Sequence, residues 1–113
     1  MHEMSLTESL VDMIASEGEK QGFSRVRTVR VAIGALGHVD PEAMRFCFDA
    51  VARGTLAEGA DLAIDIVPAA AWCFDCAKTV RIAERGAACP TCGRHILQVS
   101  GGDELRLEEL EVD

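Results

Sequence analysis

Four cysteines carry the clearest chemistry in this chain. Cys73 and Cys76 stand in CFDC, Cys89 and Cys92 in CPTCG, and twelve residues separate the two pairs. A C-x-x-C spacing on a tight turn lets two sulfurs converge on one point. Four thiolates at about 2.3 Å in a tetrahedron are the arrangement of a structural Zn(II) site. Gly93, directly after the second pair, relieves the backbone where its N–H groups turn toward the sulfurs. A disulfide framework fits poorly, because the first twenty residues lack the cationic start and apolar run of an export signal. A thioredoxin-like pair would follow a strand and open a helix, and iron–sulfur clusters have other spacings. A closed site of four cysteines leaves no coordination position for water, so its expected work is folding rather than catalysis.

The second group with chemistry is the opening Met1-His2-Glu3. Behind a bulky second residue the initiating methionine is expected to be retained. Its amine, the His2 backbone nitrogen and His2 Nδ1 can wrap one ion in adjoining five- and six-membered chelate rings. A fourth donor from the amide or carboxylate of Glu3 completes a square-planar set, which suits Ni(II) or Cu(II). The remaining candidates read as structural. Cys47 falls on an apolar helix stripe and reads as a small packed hydrophobe. His38 and His95 read as surface histidines, although His95 lies three positions past Cys92. No nucleophile elbow, phosphate loop or carboxylate pair is present, so an enzyme is not expected.

Composition narrows the partners. Nineteen acidic against eleven basic residues give a net charge of −8, which repels phosphate backbones, so nucleic acid is not expected as a ligand. No stretch approaches the ~20 apolar residues of a membrane span. Reduced cysteines and the missing export signal give the expectation of a cytoplasmic protein. With 113 residues, 4% aromatic content and no tyrosine, one modest aliphatic core is expected.

Two helices and three strands have to position these groups. Ser5 and Glu8 have capping-box spacing, which predicts a helix of roughly four turns starting at Ser5, with Leu6, Leu10, Met13 and Ile14 on its buried stripe and Gly18 or Gly22 at its end. Val29, Val31 and Ile33 alternate as in a half-buried strand. In DPEAMRFCFDAVARG, Asp40 is an N-cap, Pro41 the first helical residue, and Met44, Cys47, Phe48 and Val51 the buried face. Leu62, Ile64 and Ile66 predict a second strand. Leu105 and Leu107 predict a third, with a slip of register at Leu110. These elements make an α+β fold, a small two-layer sandwich of a three-stranded sheet and two helices. Residues 69–95 interrupt it as an inserted zinc-binding sub-domain without a periodic core pattern of its own. Residues 1–68 and 96–113 form the domain carrying the terminal chelate.

The segments MHEMSL, VRVAIGALGHVDPEAMRFCFDAVARGTLAEGADLAI, CFDC, CPTCG and GGDELRLEELEVD together resemble the HypA/HybF family of hydrogenase-maturation nickel chaperones, over almost the whole length. The resemblance implies a metallochaperone that carries Ni(II) as cargo to the large subunit of [NiFe]-hydrogenase. Similar proteins work with a nickel-handling GTPase of that pathway, and in some organisms also supply urease through its accessory proteins. Carried over, His2 and Glu3 with the Met1 amine are the nickel site, and Cys73, Cys76, Cys89 and Cys92 the zinc site. A monomer or weak homodimer is expected. The competing reading is a zinc-ribbon adaptor that binds proteins without delivering metal.

Overall fold

The computed structural model describes residues 2–113. Its elements are α1 (Glu3–Gln21), β1 (Val26–Gly34), a 3-10 turn (Ala35–Gly37), α2 (Pro41–Val51), β2 (Asp61–Val67), β3 (Ala69–Cys73), β4 (Lys78–Ile82), β5 (Leu97–Ser100) and β6 (Leu105–Val112). Two helices and two three-stranded sheets, ordered β2-β1-β6 and β4-β3-β5, make the fold α+β as expected. The chain divides into two compact units. One comprises the residues up to Val31, Val39–Asp65 and Arg106–Asp113, and the other Ala32–His38 and Ile66–Leu105.

In the first unit α1 and α2 pack on each other, and Leu10, Ile14, Val26, Val29, Val31, Met44 and Phe48 are buried. Asp40 caps α2 as expected: its carboxylate accepts from the N–H groups of Glu42 and Ala43, and Pro41 opens the helix. The expected capping box of α1 is not formed. The helix starts at Glu3, two residues early, so Ser5 and Glu8 lie inside it on exposed positions, and His2 is the N-cap without a side-chain cap. The buried stripe is accordingly Glu3, Thr7, Leu10, Val11, Ile14 and Gly18, with Leu6 and Met13 only half-buried. Thr7 fits this stripe because its hydroxyl donates to the carbonyls of Glu3 and Met4 at 3.1 and 2.8 Å, leaving no polar atom unsatisfied. Gly22 ends the helix in the left-handed region.

The second unit corrects the expectation of a segment without a core. In β3, Ala69, Ala71 and Cys73 point inward while Ala70 and Trp72 point out. Ala71 pairs with Val80 of β4 on one side and Val99 of β5 on the other, both antiparallel. Ala69, Ala71, Cys73, Val80, Ile82 and Cys89 bury against one another together with Leu36 from the 3-10 turn. Alanine alternating with alanine carries little hydrophobic contrast, which is why the strand is silent in sequence. Leu36 is delivered by a close backbone crossing. Its N–H donates to the Gly102 carbonyl at 2.7 Å, and a Cβ on Gly34 would collide with that same oxygen. Only glycine fits at position 34.

Candidate metal centres

The loops joining the strands of the second unit bring the four cysteines together. Cys73 ends β3, and the turn 74–77 carries Cys76 back into β4. Cys89 and Cys92 flank a second turn, closed by a Gly93 N–H to Cys89 carbonyl bond of 2.8 Å and a Cys89 N–H to Arg94 carbonyl bond of 2.7 Å. The sulfurs all lie within 4.8 Å of one another. Cys73 Sγ is 3.7 Å from Cys92 Sγ, and Cys76 Sγ is 3.9 Å from Cys89 Sγ. A tetrahedron with arms of about 2.3 Å has edges of about 3.8 Å, so the donor set fits a zinc ion and is far from disulfide length. Cysteines 73 and 89 are buried, Cys92 is exposed, and all four sit in a reduced cluster.

Backbone amides tune the thiols. The Cys92 N–H, with the Thr91 N–H at 3.4 Å, holds the Cys89 thiol down at about 6. Burial, reinforced by the neighbouring sulfurs, pushes Cys76 up to about 12. At Cys92 the Arg94 N–H favours the thiolate, but burial and Cys73 outweigh it and the thiol is raised. The crowding of four sulfurs disfavours several adjacent negative charges, and a bound divalent cation relieves that repulsion. Gly93 has φ 76°, as its place after the second pair predicts. The matching position after the first pair is Ala77, with φ 52°, a left-handed residue without glycine's freedom.

His95 is exposed and stands outside the cluster, with Nδ1 3.1 Å from the Gly86 carbonyl oxygen. His38 is exposed and caps the 3-10 turn in the left-handed region. Cys47 is a buried member of the α2 face, as expected.

Of the terminal triplet, Met1 lies outside the described residues. His2 is exposed, and its carbonyl accepts from the Leu6 N–H at 2.9 Å, which ties it to the first turn of α1. Glu3 behaves differently from a free chelating arm. It is 8% exposed, and its Oε2 accepts from the Asp40 backbone N–H at 3.2 Å. That amide bond is the main reason its carboxyl lies below the usual carboxylate range. In sequence Asp40 lies close to a possible metal loop, but its role as a helix cap explains it sufficiently. Nothing in residue spacing signals a contact between positions 37 apart.

Residues 1–112 match the family described as "Hydrogenase/urease nickel incorporation, metallochaperone, hypA". The chain belongs to the HypA family. The hydrogenase maturation factor HypA of Rhodopseudomonas palustris strain TIE-1 is 63% identical over 113 residues, covering 100% of both chains. That of Methylocella silvestris is 58% identical over the same length and coverage. The solution structure of the Ni metallochaperone HypA from Helicobacter pylori superposes with a TM-score of 0.72 at 25% identity, over 99% of this chain and 97% of that one. HypA membership makes this a hydrogenase-maturation protein of a nickel metallochaperone family, and its four clustered cysteines could hold a metal ion. Among the described residues no helix is long and apolar enough to cross a membrane.

Proposed function

We propose that this HypA-family chain carries Ni(II) to the large subunit of [NiFe]-hydrogenase, holding it at the Met1 amine and His2 with Glu3 as the adjoining donor. The observation that carries this reading is the placement of His2: exposed, yet tied at its carbonyl to the first turn of α1. Its imidazole is open to an incoming ion while the base of the tail is fixed. The amides of the first turn have no intrahelical partner, and the positive end of the helix dipole favours amide nitrogens that give up a proton to a metal. With the Glu3 carboxylate engaged at Asp40, the Glu3 amide is the readier of its two donors. A surface chelate of this kind exchanges its ion without opening a buried cage, which suits a carrier.

In the same proposal Cys73, Cys76, Cys89 and Cys92 hold a structural Zn(II) that folds the turns around it. A nickel-handling GTPase of the same pathway is the expected partner, and urease accessory proteins are a second route for the cargo. The test is a nickel titration by calorimetry on untagged protein, beside a copy with one extra residue in front of Met1, with zinc content checked in both. One Ni(II) bound by the native chain and far weaker binding by the extended one supports the chelate. Equal binding places the nickel ligands elsewhere. Normal hydrogenase activation in cells by a His2→Ala variant would favour the zinc-ribbon adaptor.

A further inference from the structure

The second unit has a sheet face that its own core does not use. Opposite the buried side of β3, β4 and β5, register and alternation place Ala70, Trp72, Thr79, Arg81, Gln98 and Ser100 on one outward surface. Trp72, the chain's single tryptophan, lies at its centre between Thr79 and Gln98, with Arg81 diagonal to it. Just past the end of β3, the Phe74 N–H donates to the Ile96 carbonyl at 3.4 Å and continues the ladder by one pair. Trp72, Phe74 and Ile96 are 42%, 56% and 58% exposed. They form a small exposed apolar patch, well short of the ~800 Å² per partner of a standard protein interface, which suits a short segment rather than a whole folded face.

The charge on and around this face is unlike the rest of the molecule. The outward face of the three strands holds no carboxylate, and Arg81 makes no ion pair among the described residues. Residues 69–100 hold four cations, Lys78, Arg81, Arg85 and Arg94, against two carboxylates, in a chain of net charge −8. We infer that the Trp72–Phe74–Ile96 face, with Arg81 beside it, is a docking site for a segment of another protein that presents an apolar side chain next to a carboxylate. The chain's own acidic apolar segment, Leu105–Val112, is already paired in a sheet, and two copies at −8 repel each other. The occupant is therefore a different protein.

The choice of probe, though not the surface itself, rests on the maturation reading: the purified large-subunit precursor of a [NiFe]-hydrogenase. Because Trp72 is the single tryptophan, 5-fluorotryptophan gives the zinc-loaded protein one ¹⁹F resonance at the centre of the face. Titrating the precursor should shift that resonance. Arg81→Glu and Phe74→Ser should each weaken binding about tenfold or more with zinc content unchanged, and Arg81→Lys should restore most of it. His2→Ala should dock like the native chain, so a failure of nickel binding and a failure of docking are separable. No binding of the precursor, variants that bind like the native chain, or a ¹⁹F shift that depends only on the protein's own concentration, as for a second copy, would each overturn the assignment.

Discussion

The Asp40 backbone N–H donates to the Glu3 carboxylate across 3.2 Å, joining the first turn of α1 to the residue that caps α2. One carboxylate thus serves helix packing at the edge of the proposed nickel site. The Asp40 amide holds its carboxyl below 4.5, the ordinary value. A group depressed on folding contributes stability that is fully present above the unfolded value and is lost as pH falls through the folded one. In metal-stripped protein, Glu3→Gln should therefore be less stable than the native chain at pH 7, and the gap should close as pH falls below about 4.5. Urea unfolding at several pH values measures it, and a gap that does not depend on pH would show that the carboxylate charge contributes nothing there.

Leu36 is the residue of the second unit's core that comes from farthest away in sequence, from the 3-10 turn after β1. Leu36→Ala should cost about 2–5 kcal/mol of folding in that unit. Where metal binding and folding are coupled, this cost should appear as weaker zinc affinity although Leu36 touches no metal. Competition with a chromophoric chelator measures it. Unchanged affinity would mean that the metal-binding turns fold independently of the strands beneath them.

How much of this was legible in sequence depended on how local the determinants were. Asp40-Pro41 specified the start of α2 because cap and first residue are adjacent, and the cysteine spacings specified their cluster because each pair sits on one turn. Ser5 and Glu8 misled because the same spacing occurs inside a helix whose real start is fixed from outside, where Glu3 meets Asp40. β3 was missed because its inward residues are two alanines and a cysteine, and β5 because four residues are too few to show a period. Both become strands through their pairing, which no single segment encodes.

The two cysteine-bearing turns differ at the position after their second cysteine, and the difference is testable. Gly93 and Ala77 follow the second cysteine of each pair, both at positive φ. A left-handed conformation costs a residue with a Cβ roughly 1–2 kcal/mol. Gly93→Ala should therefore destabilise the metal-loaded unit by about that amount, while Ala77→Gly should be neutral to stabilising by up to about 1 kcal/mol. Metal-loaded thermal unfolding of both variants provides the comparison. Equal losses from both would mean that side-chain packing, not backbone conformation, decides these positions.

Metal binding at the cluster should release protons in a number that depends on pH. Near pH 7 the Cys89 thiol, held at about 6 by the Cys92 and Thr91 amides, is mostly thiolate before metal arrives. Cys76, raised to about 12, is protonated and must give up its proton on binding. As pH falls through about 6, Cys89 also enters the metal-free state protonated, so the count released should rise by nearly one between pH 7 and pH 5 and affinity should fall more steeply there. Calorimetry of zinc binding in buffers of different ionisation enthalpy gives the count directly. Cys89→Ser should weaken binding at both pH values and remove the extra proton. A release that stays constant across that range would mean the backbone amides do not hold the Cys89 thiolate in the metal-free protein.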